Sequence, residues 1–303
     1  MYDTIIIGAG PAGLTAGLYA GRGRLNTLIL ERMTAGGQVM LTQSLENFPG
    51  FPGEVKADEL IERMTHQVRD LGVEIRNAAV QRISAAENFT LLDEDNHDFT
   101  SRSLIIASGA LPRELGVEGE KKLTGRGVSY CAVCDGPLFR DKDIAVVGGG
   151  DRAVEEATYL SRFAKSITLI HRRDALRATK ILQEHLLHNP KISVVWDSVV
   201  TAMEGENYLS GLKLKNVKNG EESFLKCLGV FVAIGVNPNT HFLKGIVHTD
   251  AQGYILTDEN LMTSQPGIFA CGDCRKRPLL QVITACAEGA LAAFSANRFL
   301  ELN

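Results

Sequence analysis

Two strand–glycine turn–helix units, at residues 4–22 and 143–160, and a late apolar segment closed by Gly272-Asp273 predict an α/β chain. The expected architecture is two Rossmann-like, three-layer dinucleotide-binding domains, the second inserted into a discontinuous first. The boundaries are read at 1–113, 114–244 and 245–303.

The first unit opens with TIII at 4–7, a β-branched run suited to a buried parallel strand. GAGPAG follows at 8–13, then the helical stretch LTAGLYAGR. In such a turn Gly8 allows the tight bend, Gly10 lets a pyrophosphate approach the backbone, and Gly13 lets helix pack on strand. Pro11 and Ala12 sit at the helix start, where free N–H groups and the positive dipole end suit phosphate. The next strand, TLILE at 27–31, ends in Glu31. An acid about 20 residues beyond the glycines suits a ribose hydroxyl pair and disfavours a 2′-phosphate, so FAD is the cofactor expected here.

LIIASGALPREL at 104–115 and VFVAIGVNPNT at 230–240 each end a strand in Gly and then Pro, and read as the exit and return links of the insertion. Between them DIAVVGGGDRAVEEATYL repeats the turn, with Gly148, Gly149 and Gly150, and with Ala153 in the third-glycine position. The strand SITLI at 166–170 leads into HRRDALRA. Where the first unit has Glu31, this one has His171, Arg172 and Arg173, with Arg177 beyond. Guanidinium forks favour a 2′-phosphate, which points to NADPH; the alternative is a solvated basic loop. A nicotinamide and a flavin in one chain imply an electron path, because flavin accepts hydride and passes electrons on. In GIFACGDC at 267–274, Gly272-Asp273 follows an apolar strand and brings a carboxylate toward a ribityl or pyrophosphate group.

The chain has 303 residues, 45% hydrophobic and 22% charged, with net charge −4 and pI about 6.0. Nothing in that balance argues for a nucleic-acid or membrane surface. No apolar run reaches the roughly 18 residues of a spanning helix. The start, MYDTIIIGAG, lacks the basic segment and cleavage site of a signal peptide, so the cytoplasm is the expected location. Thiols there are mostly kept reduced, and the six cysteines point to metal or redox chemistry.

SYCAVCDGP at 129–137 holds Cys131 and Cys134, followed by Asp135. The pair precedes the second glycine turn and travels with the NADPH unit. A CxxC closes into a small disulfide ring, and its thiolate is readily stabilised; Asp135 is placed to move the proton of dithiol–disulfide exchange. Structural zinc would need Cys271 and Cys274 as further ligands, at a separation far beyond the roughly 15–20 residues of a zinc ribbon. Those two read as buried small residues, with a second thiol pair near the flavin as the alternative, and Cys227 and Cys286 read as core. His66, His185 and His188 have no partner at metal spacing, and DEDNHD at 93–98 reads as a solvated turn.

From GAGPAG through GGQ at 36–38, ENFPGFP at 46–52, CAVCDG, GGG-x-x-A, HRRD and GIFACGD, the chain resembles the low-molecular-weight, bacterial-type thioredoxin reductases. The larger glutathione reductase type carries its cysteines just after the first glycine motif, where TAGGQVMLTQS here has none. The resemblance implies FAD contacts at Gly8, Gly10, Pro11, Ala12, Gly13, Glu31, Gly37, Gln38, Asn47, Gly109, Gly272, Asp273, Gln281 and Val282. It implies NADPH contacts at Gly149, Gly150, Arg152, Ala153, Arg172, Arg173 and Arg177, beside His171. Cys134 would lie nearest the flavin, Cys131 would attack the disulfide of thioredoxin, and Asp135 would be the acid/base. A homodimer is implied as well. Because nicotinamide and disulfide share one domain and must both reach one flavin, that domain is expected to swivel on links near 112–116 and 240–246.

Two positions depart from the family pattern. Arg152 stands where a small residue is usual; a cation there would bind pyrophosphate or crowd the site, and the anionic surroundings favour binding. Leu280 stands where Arg commonly precedes Gln. Together they leave room for another redoxin as substrate, or for a donor such as ferredoxin.

Overall fold

The computed structural model describes residues 1–41, 44–45 and 47–303. Thr42 and Gln43 of the cysteine-free segment, and Glu46 of ENFPGFP, lie outside the described residues. The chain forms two compact units, residues Met1–Leu111 with Asn237–Asn303, and residues Pro112–Val236.

In the first unit the strand Tyr2–Ile7 runs parallel to Thr27–Glu31 on one side and to Asp98–Ile106 on the other, within a seven-stranded sheet. Ile5 and Ile6 are both fully buried, one on each face, which is why the strand reads as an unbroken apolar run. Ile268–Ala270, the strand expected before Gly272, pairs parallel with Asp98–Ile106. Helix α1, Pro11–Arg22, and helix α2, Ala57–Asp70, cover one face. The other face is closed by Leu243, Val247 and Ile255. Residues 237–244 therefore pack with this unit, not with the insertion as the sequence reading had it: Leu243 is fully buried against Ile5 and Ile106's side of the sheet.

The second unit has a five-stranded parallel sheet, ordered Val128–Ser129, Gly229–Ala233, Asp143–Gly148, Ser166–Ile170, Ile192–Val195. A three-stranded antiparallel sheet, Ser198–Glu204, Gly211–Asn216 and Glu222–Lys226, completes it. Two short helices, α3 (Glu120–Leu123) and α4 (Ala132–Asp135), precede the glycine turn. Helices α5, Asp151–Leu160, and α6, Lys180–Leu187, follow it. The last helix, α7 (Val282–Leu302), belongs to the first unit and is stapled at its start by a capping box between Gln281 and Thr284. Its small residues lie on α1 so closely that a Cβ on Gly289 would sit 2.1 Å from the Ala12 carbonyl oxygen. The chain passes between the units through two short strands, Ala110–Pro112 and Val236–Pro238, which pair with each other.

The turn at 93–98 is solvated as expected from residue 94 to 98, with Asp93 at its base as the exception. Asp93 is buried, and its carboxylate accepts the N–H groups of Asp95 and His97 and meets His97 Nδ1. The turn joins two antiparallel strands, and its N–H groups need an acceptor that the carboxylate supplies locally.

Candidate active site

The two glycine turns share one steric plan. A Cβ on Gly8 would lie 2.3 Å from the Ala107 oxygen, and one on Gly13 1.8 Å from the Gly8 oxygen, so both positions exclude a side chain. At Gly10 the nearest atom is 4.0 Å away, and the space above the backbone is open. In the second unit a Cβ on Gly149 would meet His171 Nδ1 at 2.2 Å, whereas Gly150 has nothing within 4 Å. Neither α1 nor α5 has a side-chain cap at Gly10 or Gly150, so their first-turn N–H groups remain for an anion. An open glycine before an uncapped helix start is a cradle that fits a pyrophosphate in each unit.

Around the first cradle the structure gathers most of the residues expected there. Glu31 accepts the Ala9 N–H at 2.6 Å and the Met33 N–H at 3.0 Å, holding its carboxylate against the turn. Gly36 N–H donates to the Ala9 oxygen at 2.8 Å and brings Gly37 beside Gly10. Gln38 Nε2 donates to the Ala110 oxygen at 2.8 Å. Asn47 Nδ2 donates to Gln281 Oε1 at 3.0 Å, joining two residues 234 apart in sequence. Val282 opens α7 and packs on the cluster of Leu45, Val55 and Leu60. Gly109 takes φ +63°, and its oxygen accepts the Asn239 N–H at 2.9 Å. Gly272, at φ +77°, lies against Ala12.

Three residues of this site were not legible in the sequence. Arg277, with its side chain 3% exposed, pairs with Asp273. Glu288 accepts the Gly272 N–H at 2.8 Å and Arg275 Nη1 at 2.7 Å. Together they tie down the Gly-Asp turn. A lone acid in an alanine-rich helix carries no spacing signal, and only the fold brings it to Gly272.

Around the second cradle, Arg177 N–H donates to the Gly149 oxygen at 2.7 Å, and Asp151 Oδ1 accepts the Thr179 N–H at 2.6 Å. The basic loop is thereby fastened to the glycine turn, with Arg172, Arg173 and Arg177 exposed on it. His171 differs from its arginine neighbours. It is buried, its Nε2 donates to the Ala175 oxygen at 3.1 Å, and burial lowers its pKa, keeping the ring neutral. It therefore supports the loop and offers no charge to a phosphate. Ala153 is fully buried and faces Gly148. Arg152 is bound sideways, to Glu156 and to the Tyr130 carbonyl.

Cys131 and Cys134 form a disulfide. Cys131 precedes α4 as its N-cap, and its Sγ accepts the Cys134 N–H at 3.1 Å. Cys134 is exposed, Cys131 and Asp135 half-buried. The remaining four cysteines are free. Burial pushes the thiols of Cys227 and Cys274 up to about 12 and about 11, and raises Cys271 well above its usual range. Cys271 and Cys274 are thus protonated, buried thiols; Cys274 donates to the Cys271 and Ile106 carbonyls. Cys286 is half-buried, so its placement in the core was overstated. Among the described residues, no helix is long and apolar enough to cross a membrane.

Over residues 2–289 the sequence matches the family described as pyridine nucleotide-disulphide oxidoreductase. It is 46% identical to a thioredoxin reductase of Streptomyces coelicolor, across 98% of this chain and 94% of the relative. It is 42% identical to that of Peptoclostridium acidaminophilum, across 100% and 98%. The solved thioredoxin reductase of Lactococcus lactis (FR conformation) covers 100% of both chains at 42% identity, with a TM-score of 0.98. That of Streptococcus pyogenes is 46% identical, covers 100% and 99%, and has a TM-score of 0.66.

Proposed function

This chain belongs to the pyridine nucleotide-disulphide oxidoreductase family, among the bacterial-type thioredoxin reductases, and from that premise we propose how its residues divide the work. NADPH is the electron source, and the disulfide of thioredoxin is the acceptor. The observation that carries the reading is a disulfide, Cys131–Cys134, in the same unit as the Gly149-Gly150 cradle and its three exposed arginines.

Gly149 and Gly150 admit the pyrophosphate of NADPH, Ala153 keeps α5 close to its strand, and Arg172, Arg173 and Arg177 take the 2′-phosphate. Arg152 is left out of this set because its donors serve Glu156 and Tyr130. FAD, when bound, supplies the acceptor that takes a hydride and returns an electron pair to the disulfide. Gly8, Gly10, Pro11, Ala12 and Gly13 admit its pyrophosphate, Glu31 its ribose, and Asp273, set by Arg277, its ribityl chain. Gly37, Gln38, Asn47, Gly109, Gly272, Gln281 and Val282 complete the lining.

Two electrons and two protons convert the disulfide to a dithiol. Cys131 Sγ, as thiolate, then attacks one sulfur of the substrate disulfide. That S–S bond breaks, a mixed disulfide forms, and the departing sulfur keeps the electron pair. Cys134 next attacks Cys131 Sγ, closes the original ring and releases the second substrate thiol. Asp135 takes the proton from Cys134, which leaves that sulfur as the attacking thiolate, and passes it on to the departing substrate sulfur.

The inserted unit swivels on its links to present cradle and disulfide in turn. Relatives of similar identity and full coverage superpose with TM-scores of 0.98 and 0.66, a spread that sequence distance does not account for and that a swivel between two settings would produce. The enzyme works as a homodimer in the cytoplasm, where the reducing pool supplies NADPH.

An anaerobic titration followed at the visible flavin band tests the reading. NADPH, not NADH, should bleach the band, and wild type should take up one hydride equivalent more than Cys134→Ser. Bleaching by NADH alone, or equal uptake by both proteins, would sink it. Bleaching by neither nucleotide would favour a ferredoxin-type donor.

A further inference from the structure

Arg152 holds something specific. Its Nε donates to Glu156 Oε1 at 2.7 Å and its Nη2 to the Tyr130 carbonyl at 2.8 Å. Tyr130 directly precedes Cys131. The far end of Tyr130 is held as well: its hydroxyl donates to Glu120 Oε1 at 2.8 Å. Glu120 is 1% exposed, and its carboxylate also accepts the N–H groups of Leu115 at 2.9 Å and Gly116 at 2.6 Å. Residue 130 is thus fixed at its main-chain carbonyl from α5 and at its side-chain tip from α3. On the other side, the Cys131 N–H donates to Ser129 Oγ at 3.0 Å.

From this geometry we infer that Arg152, Tyr130 and Glu120 form a positioning brace that holds the main chain before Cys131 against α5 while the disulfide opens and closes. The inference rests on the thiol–disulfide reading above. When the ring opens, the restraint of the S–S bond disappears. Cys131 must still meet the substrate disulfide nearly in line with the bond it breaks, so an unrestrained backbone would spend most of its time misaligned. The planar guanidinium is suited to the task, because its fork serves a carboxylate and a carbonyl at once. Burial raises the pKa of Glu156, and the Arg152 guanidinium beside it opposes that shift.

The test separates the brace from a nucleotide contact. The full-length protein is reduced anaerobically with dithiothreitol, desalted, and mixed in a stopped-flow instrument with an aromatic disulfide and with thioredoxin; this step needs neither NADPH nor flavin. Arg152→Ser and Tyr130→Phe should each slow it by roughly ten-fold, an effect of the size expected from lost alignment. Arg152→Lys, able to reach only one acceptor, should fall between Ser and wild type. The NADPH concentration for half-bleaching should stay within about two-fold, by the same separation of binding from later steps. Arg152→Ser leaves Glu156 unpaired, so Arg152→Ser/Glu156→Ala removes both charges, and Tyr130→Phe keeps the pair intact and decides the matter if the serine variant misfolds. An unchanged thiol rate in both Arg152→Ser/Glu156→Ala and Tyr130→Phe would overturn the brace. So would a raised half-bleaching concentration with an unchanged thiol rate, which would make Arg152 a pyrophosphate ligand. Failure of NADPH to bleach the wild type would overturn the donor assignment and leave the thiol measurement standing.

Discussion

His171 shows what burial does to a residue that sequence alone groups with its neighbours. A carbonyl can only accept, so the bond to Ala175 places the proton on Nε2 and leaves Nδ1 facing Gly149. Burial lowers the folded pKa and prevails over the Ala175 and Gly148 carbonyls, which favour the charged ring, with Arg177 and Arg173 adding to the lowering. Above the ordinary histidine pKa both folded and unfolded chains are neutral at this site. As pH falls below about 6.5 the unfolded chain takes up a proton first and gains relative to the folded one. Stability contributed by neutral His171 is therefore present above that value and lost on acidification. The thermal midpoint should drop between pH 7.5 and 5.5, and His171→Asn should drop less; equal slopes would refute this account. The acid at Glu31 was readable because strand end and glycine spacing fix its place. Arg277, Glu288, Glu120 and Glu156 were not, because their partners are set by tertiary contacts and charge at buried positions leaves no periodic trace. Arg152 was read for the anion its position suggests, while its side chain is held by Glu156, one turn on in its own helix, and by the Tyr130 carbonyl from outside it.

Among the elements, α1 and α7 depend most on small residues. Ala285, Gly289, Ala292, Ala293 and Ala296 are the buried positions of α7, and the helix carries no comparable stripe of large side chains on that face. With a Cβ at Gly289 2.1 Å from the Ala12 oxygen and 3.1 Å from the Ala16 nitrogen, neither neighbour can yield without moving backbone. Gly289→Ala should therefore cost about 2 kcal/mol, in the range of overpacked cores, measured by chemical denaturation. Because Ala12 belongs to the first cradle, the same variant should release FAD more readily on gel filtration. Unchanged stability and flavin content would show that α7 slides freely, contrary to the packing described. The strands and α1 were legible from β-branched runs and the glycine turn, whereas α7 was not read from the sequence. The 3% exposure of Arg277 and the seat of Glu288 beside Gly272 were not, since helix faces are chosen by what they meet.

For the whole molecule, the nested order of the two units was legible from the repeated glycine turn and the two Gly-Pro links. The return border was not: Leu243 sits a few residues beyond Pro238, and only its burial in the first unit's core assigns it. Bifunctional crosslinks that span the two units should stop multiple turnovers with thioredoxin and leave a single half-reaction intact, measured as one burst of bleaching or one burst of thiol release. Full steady-state turnover in the crosslinked protein would rule out the swivel. The entry and exit strands of the insertion, Ala110–Pro112 and Val236–Pro238, lie side by side. Paired strands run about 4.8 Å apart, so the two ends of the inserted unit meet within one strand spacing. Residues 112–236 are thus a cassette whose two joints fall at one spot, so that the strands that let the chain out also take it back in.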